Sequence, residues 1–585
     1  MSYTRKSYKL LLLQIMNNVK GDKMTGIDVH ETDVLVIGGG AGARAAIAAD
    51  DVGARVTLID KGVFGKAGIT QLSFGIVCAY VKPPDNADVL FEDMVRAGEF
   101  LNNQKLVEIF AKEIADGKIL ELEGKYGFVF DRTEKGELVR KKMGGHSYAR
   151  DLVVTWNNAP CIWRGVVADV IKRGIKVFSE VMITDLLTCN GRCVGALGID
   201  IRTGNFIVFR AKSVVLATGG LGQIYKLTDN SRGSTGDGFA MAYRAGAELR
   251  DMEFVQTMLG FAWPRALRGI GIGEPALVGG KLYNVKGERF MAKIDPVNID
   301  NVPKDVHGRA VMQEIKEGRG TTHGGVYFDL TRMREENQPH FDYLYPLAAN
   351  VGIDITKEYV ETVPIVHYFM GGVYVNENHE SNIPGLFAVG EVASGLHGAE
   401  RLAGCSVADI TVFGYRAGKM AARSAMKLSM PRVDWEQVET YKERALELLM
   451  RRVPYGIRPA SIRSKIQNIM WEYVHLLRNE KGLKTALDAI LQIREKYLPR
   501  MVVASKSLRW NYEWIEALET INMIDVAEMV TKAALARTET RGAHAREDYP
   551  KRDDENWLKN IVIKCTDGEM ELTTRPVVIT RLSPG

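Results

Sequence analysis

"DVLVIGGGAGARAAIAADDVGARVTLIDK", residues 33–61, decides the fold. The apolar run Val34 to Ile37 suits a central parallel strand buried on both faces. A glycine cluster, an alanine-rich helical stretch and a second apolar run, Val56 to Ile59, follow it. This is a βαβ unit, and it carries G-x-G-x-x-A as Gly38, Gly40 and Ala43, with Gly42 adjacent. The first glycine permits a tight turn, the second lets backbone approach a pyrophosphate, and the third small residue lets helix and sheet pack closely. Asp60 ends the second run, where a carboxylate can accept a hydrogen bond from a ribose hydroxyl. Strand, glycines, helix, strand and terminal acid together predict a bound dinucleotide.

The rest of the chain is built around that unit. At 585 residues it is too long for one ordinary core, and several domains are expected. The 77 basic and 72 acidic residues are spread along it without a basic stripe, which argues against nucleic-acid binding. The six cysteines are scattered, as in a reducing compartment, and provide no iron–sulfur ligand set. "CNGRC", 189–193, reads as a hairpin turn at Asn-Gly rather than a metal site, and no metal is expected. The start, 1–28, reads as an extension whose apolar run is too short for a membrane span, and Met24 is a candidate start. No later segment is a membrane span, so a cytoplasmic location is expected, with any membrane contact made through a partner.

Residues 85–130 have helical periodicity, and 177–220 alternate like a meander of strands. "GGKLYNVKGERFM", 279–291, reads as a hairpin, "KDVHGRAVMQEIKEGRG" as a helix and "GGVYFDLTRM" as a strand. After Pro431, amphipathic patterns over 433–453, 459–480, 482–496 and 510–538 predict a helical bundle. The predicted class is α/β: a Rossmann-like dinucleotide domain over 29–254 and 365–430, interrupted by an α+β capping domain over 255–364. A helical domain over 431–540 and a tail over 541–585 follow.

With "ATGG" (217–220), "STGDGFAMAYRAGAEL" (234–249), "GERFM", "HYFMGG", "IPGLFAVGEVASGLHGAERLAG" (383–404) and "TRGAHAREDYPKRDDENW" (540–557), the chain resembles the flavoprotein subunit of the succinate dehydrogenase and fumarate reductase family, which is related to L-aspartate oxidase. The resemblance implies bound FAD, with contacts at Gly38, Gly40, Gly42, Ala43, Asp60, Lys61, Thr218, Gly219, Asp237, Glu391, Arg401 and Ser406. Members that attach FAD covalently carry a histidine in S-H-T, whereas "GKAGITQLSFG" places Gly68 there, so noncovalent FAD is expected. His367 and Arg401 match the substrate-clamping histidine and arginine, and an arginine fork can hold a carboxylate by two hydrogen bonds. Cys405 reads as a small filler.

Elsewhere the family pattern changes. Met258, Leu259 and Gly260 stand in place of H-P-T. Glu274 lies one place off the proton-relay glutamate, and Ala276 takes the relay arginine's position. Lys304 falls where the family has its proton-donating arginine, with Arg309 one turn on. Three readings are open at this point. The site takes another anionic substrate, with Lys304, Arg265, Arg268 or Lys281 supplying charge; it runs succinate–fumarate chemistry with a shifted loop; or the subunit only relays electrons. L-aspartate oxidase-like and adenylylsulfate reductase-like activities are the alternatives among relatives. An iron–sulfur subunit or another electron-transfer protein is the implied partner, and a homo-oligomer is compatible with the sequence. His307, His323 and His340 read as ordinary core or surface histidines.

Overall fold

The computed structural model describes residues 27–73, 75–79, 82–154, 163–333 and 342–585. Residues 1–26 of the expected extension, Cys161 and His340 lie outside these. Strands β1 (Asp28–Ile37), β2 (Val56–Asp60), β3 (Lys176–Ser179), β4 (Val181–Cys189), β5 (Arg192–Asp200) and β6 (Phe206–Leu216) belong to a seven-stranded sheet in the order β3-β2-β1-β6-β5-β4. The seventh strand, Leu386–Ala388, pairs with the end of β6. β1 pairs in parallel with β2 and β6, and Val34, Leu35 and Val36 are fully buried, as an apolar run in a doubly covered strand requires. Helix α1 (Ala41–Asp50) crosses from β1 to β2.

The expected meander is correct only from β4 to β6, which pair antiparallel in sequence. β3 instead pairs in parallel with β2, because it closes a crossover through the helix Arg164–Lys172. Alternation predicts a strand but does not say which neighbour it takes. The β4–β5 connection places Asn190 at φ 51° and Gly191 at φ 72°, the left-handed pair that a two-residue hairpin turn requires.

A four-stranded antiparallel sheet, order β7-β10-β9-β8, is made by β7 (Val255–Trp263), β8 (Lys281–Tyr283), β9 (Val326–Asp329) and β10 (Val360–Phe369). It has its own apolar core, including Leu282, Val311 and Phe328. Helix α2 (Lys304–Lys316) packs on β7 and β10. The hairpin expected over 279–291 is not formed. β8 pairs with β9, while the Asn284 side chain accepts from the amides of Lys286 and Glu288 at 3.0 Å and bends the chain toward the short helix Met291–Ile294.

Helix α3 (Cys405–Ala425) returns beneath the large sheet against α1. Amphipathic helices follow at Trp435–Met450, Pro459–Tyr473 and Glu480–Gln492, then the long buried α4 (Tyr512–Ala536). The last two strands, Lys559–Thr566 and Glu569–Pro576, form a hairpin that joins Leu249–Arg250 in a five-stranded sheet. Among the described residues no helix is long and apolar enough to cross a membrane.

The charged stretch after α4 is largely an internal clasp. Arg537, fully buried, reaches Glu253 at 2.6 Å and Glu539 at 3.0 Å, and Arg541 reaches Glu539 at 2.6 Å. Removing one partner leaves the other charges buried and uncompensated, which costs about 3–5 kcal/mol. Arg537→Ala is therefore expected to lose that much in urea unfolding, and a loss below about 1 kcal/mol, the worth of an exposed pair, would contradict the clasp.

Candidate active site

β1 and β6 end side by side, and their C-terminal turns form one trough. Gly38 has φ 111°, and a β-carbon there would lie 2.1 Å from the Ala217 carbonyl oxygen, so only glycine fits. At Gly40 a β-carbon would lie 2.5 Å from Thr70 Oγ1. A β-carbon at Gly42 would lie 2.8 Å from Val36 Cγ1, and Ala43 is fully buried, so these two serve helix–sheet packing. Asp60 is buried, and its carboxylate sits where a β-carbon on Gly39 would be, directly over the glycine turn. Burial raises its pKa, partly offset by the Gly62 amide at 2.9 Å and by Lys61.

The opposite wall is Thr218-Gly219. Thr218 Oγ1 has no hydrogen-bond partner, and open space surrounds Gly219 at φ 74°. Ser406 is the second residue of α3, whose N-terminal amides make a site suited to negative charge. Glu391 accepts from the Phe369 amide at 3.1 Å and sits against Gly220. Burial raises its pKa to about 8, against the pull of that amide and of Arg401. Lys61 and Asp237 pair with each other at 2.6 Å, and Lys61 also meets Glu519 of α4 at 2.7 Å. Their charges tie the trough to the helical region. An open double glycine turn, a carboxylate at the end of β2, an orphaned threonine hydroxyl and a helix N-terminus fit FAD. Gly68, with φ 84° and nothing within 4 Å of where a β-carbon would lie, has no side chain to bond to a flavin.

The second half of the site lies between the trough and the small sheet. Arg401 is buried, lies 4.6 Å over the Tyr368 ring, and its Nε has no hydrogen-bond partner. One cavity wall combines Arg401 with Glu400, Glu274 and Lys304. Lys304 Nζ stands 2.7 Å from Glu274 Oε1, both side chains nearly excluded from water. Burial alone would raise the Glu274 pKa, but the Lys304 ammonium, aided by His367, outweighs it and the net shift is downward. His367 closes β10 and is held by Asp229, Nδ1 to Oδ2 at 2.7 Å, which fixes the ring.

Lys304 is thus the cation brought to Arg401, and the other candidates are not. Arg265 and Arg268 are exposed in the loop after β7, Lys281 opens β8 away from the cavity wall, and Arg309 is tied to Asp305 at 2.5 Å and to the Gly542 carbonyl at 2.7 Å. Met258 is buried on β7 and pairs across to Ile365. Cys405 is fully buried beside Cys78.

Sequence reasoning did not assign Glu400, Asp229, Tyr368 or Gln256. Glu400 stood beside Arg401 in the quoted motif, which was the available signal. The Gln256 amide donates to Glu400 Oε1 and, at 2.8 Å, to the Arg401 carbonyl, anchoring both. Burial, with Asp305 nearby, raises the Glu400 pKa to about 8 from 4.5, despite Gln256, Lys304 and Arg401. A carboxyl raised on folding stabilises the protein fully below its unfolded value and loses that contribution as pH rises through the folded value. Between pH 5 and about 8 the wild-type Tm is expected to fall, and Glu400→Gln should flatten the fall. An unchanged slope would contradict a buried, protonated Glu400.

The FAD binding domain family matches residues 33–407, and the fumarate reductase flavoprotein C-terminal family matches residues 463–585. One subunit of the fumarate reductase (CoM/CoB) of Methanothermobacter marburgensis is 39% identical over 92% of this chain and 97% of its own. The succinate dehydrogenase flavoprotein subunit of Rickettsia bellii is 34% identical over 95% of this chain and 96% of its own. The solved E. coli quinol fumarate reductase FrdA superposes with a TM-score of 0.89 at 29% identity, covering 96% of this chain and 99% of that one. The glycine trough, the buried arginine and these matches have one reading: the chain belongs to the succinate dehydrogenase and fumarate reductase flavoprotein family and is an FAD-dependent oxidoreductase.

Proposed function

We propose that this oxidoreductase interconverts an unsaturated and a saturated small carboxylate of the fumarate–succinate type. The observation that carries the reading is that Arg401 and Lys304 line one cavity, with Lys304 held by Glu274 at 2.7 Å. Bound FAD supplies the hydride donor or acceptor. Arg401 and His367 hold the substrate carboxylates, and their positive charge or hydrogen bonds stabilise the negative charge that develops beside the reacting carbon. Lys304 gives the proton to that carbon in the reducing direction and takes it in the oxidising one. A lysine keeps the charge of the family's arginine but offers a compact point donor, and Glu274 replaces the orientation that a planar fork has by itself. The contacts proposed for FAD are the trough residues Gly38, Gly40, Asp60, Thr218, Gly219 and Ser406.

Reoxidation of a reduced viologen dye by the purified flavoprotein, followed with fumarate and a panel of enoates, tests this reading. Fumarate or a close analogue is expected to be reduced; failure of every carboxylate to accept electrons would overturn it. Gly68 supports noncovalent FAD. Acid precipitation is expected to release all yellow colour into the supernatant, and colour retained in the pellet would contradict that attachment.

We also assign the chain an electron-transfer partner of the iron–sulfur kind, because the relatives are named as subunits. A cytoplasmic position with any membrane contact through that partner accompanies this assignment. Copurification followed by iron analysis is the check, and a flavoprotein that isolates alone and turns over with natural donors would refute it.

A further inference from the structure

Glu400 precedes Arg401, and the two share a cavity lining with Glu274 and Lys304. The lining also includes Met143, Val302 and Leu402, apolar groups that keep the local dielectric low and so strengthen a hydrogen bond made beside them. Glu400 is 3% exposed, and its two oxygens differ. Oε1 accepts from Gln256 Nε2, which also donates to the Arg401 carbonyl at 2.8 Å, so that amide cannot be turned around without setting its oxygen against the carbonyl. Oε2 is buried and has no hydrogen-bond partner.

The protonation state of Glu400 decides what it can hold. The charged groups around it are Lys304 and Asp305 of α2 and its neighbour Arg401. Glu274, in the same lining, is paired with Lys304 at 2.7 Å, and Asp305 with Arg309 at 2.5 Å. Burial outweighs the pull of the two cations, so the carboxyl keeps its proton at neutral pH. With Oε1 already accepting, the proton sits on Oε2, and a buried O–H left without an acceptor is costly. Glu400, Arg401 and Lys304 are then the side-chain donors of this lining among the described residues.

We propose that Glu400 binds the substrate through Oε2, as an uncharged hydrogen-bond donor to a carboxylate oxygen, and thereby selects against substrates that carry an ammonium group. This rests on the carboxylate reaction proposed above and deepens it by naming what the site rejects. An ionised Glu400 beside Arg401 would repel a carboxylate and attract an amino acid such as aspartate; the protonated form does the reverse. The proton stays on Oε2 throughout the reaction. The role therefore shows in KM rather than in kcat.

For the flavin-loaded wild type, KM for fumarate is expected to rise about tenfold between pH 7 and 9, as the carboxyl ionises through about 8 and binding loses its proton. Asp151, also raised to about 8 by burial, comes near the lining through His146, whose Nε2 lies 3.3 Å from it and 3.1 Å from the Ala403 carbonyl. Glu400→Gln separates the two carboxyls: it keeps an N–H donor but removes the titration, so its KM should stay flat over that range. Glu400→Ala, without the donor, should raise KM at pH 7 by about 10- to 100-fold, the scale of a lost hydrogen bond to a charged group, with kcat changed far less. Glu400→Gln should recover most of that loss. A readout independent of turnover is the rise in Tm on adding fumarate, which should shrink above pH 8 in the wild type and not in Glu400→Gln. The same KM slope in wild type and Glu400→Gln, or an unchanged KM in Glu400→Ala, would overturn the proposal while leaving the carboxylate reaction standing. So would aspartate binding that tightens as pH rises and disappears in Glu400→Gln, the mark of an ionised Glu400 holding an ammonium. If the wild type neither reduces fumarate or another enoate nor gains Tm with it, the carboxylate reading falls first and the role of Glu400 with it.

Discussion

Arg401→Ala is expected to lower kcat/KM for the carboxylate substrate by about 10³-fold, the upper range for removal of one charge-stabilising donor from a preorganised site. The side chain is buried, stacks on Tyr368 at 4.6 Å, and has an unpartnered Nε, so its donors are already oriented and dry before a carboxylate arrives. Charge-assisted, two-pronged contacts of this kind are about twice as strong as neutral hydrogen bonds. Arg401→Lys should recover only part of the loss, because it restores charge without the fork. The visible spectrum of each variant reports FAD occupancy, and equal activity in wild type and Arg401→Ala at full occupancy would remove Arg401 from the chemistry.

Lys304→Ala is expected to cost about 10²–10⁴-fold in kcat with a smaller change in KM, as for loss of a general acid. The same substitution strips Glu274 of its counter-charge at 2.7 Å. Left buried, that carboxylate must either bind a proton or carry an uncompensated charge, so stability should fall, and more so at high pH. The double variant Lys304→Ala with Glu274→Gln is expected to recover stability and remain inactive. Recovery of activity in the double variant would show that Lys304 serves only to neutralise Glu274. Lys304→Arg, which provides two donor arms at the same place, should retain most of the rate.

The βαβ unit was legible from the sequence because its apolar runs, glycines and terminal Asp60 are each required locally. Gly38 and Gly40 leave no room for a side chain against the Ala217 carbonyl and Thr70. The closing elements were less legible. Lys281 to Tyr283 takes β9, more than forty residues on, as its partner, and no local alternation encodes that choice. The proposed catalytic half was visible only residue by residue. Glu274 sits one place out of the family register and Lys304 replaces an arginine, and two such departures look like losses until the fold brings them within 2.7 Å. Glu400 stood beside Arg401 in sequence, but its interest lies in burial without full hydrogen bonding, which is a property of the packed interior. The charged tail is the reverse case: Arg541 and Arg546 stand in a stretch dense in charge, yet both are buried, Arg541 against Glu539.

The most direct measurement is anaerobic, single-turnover reoxidation of the photoreduced flavin on mixing with fumarate, in wild type and in Arg401→Ala of equal flavin content. The Arg401–Lys304 site predicts rapid, saturable reoxidation with formation of succinate in the wild type, and reoxidation slowed by about 10³-fold in the variant. Flavin that stays reduced in the wild type with fumarate and every other enoate, yet reoxidises at once with ferricyanide, would contradict it and leave the chain as an electron relay without a substrate of its own.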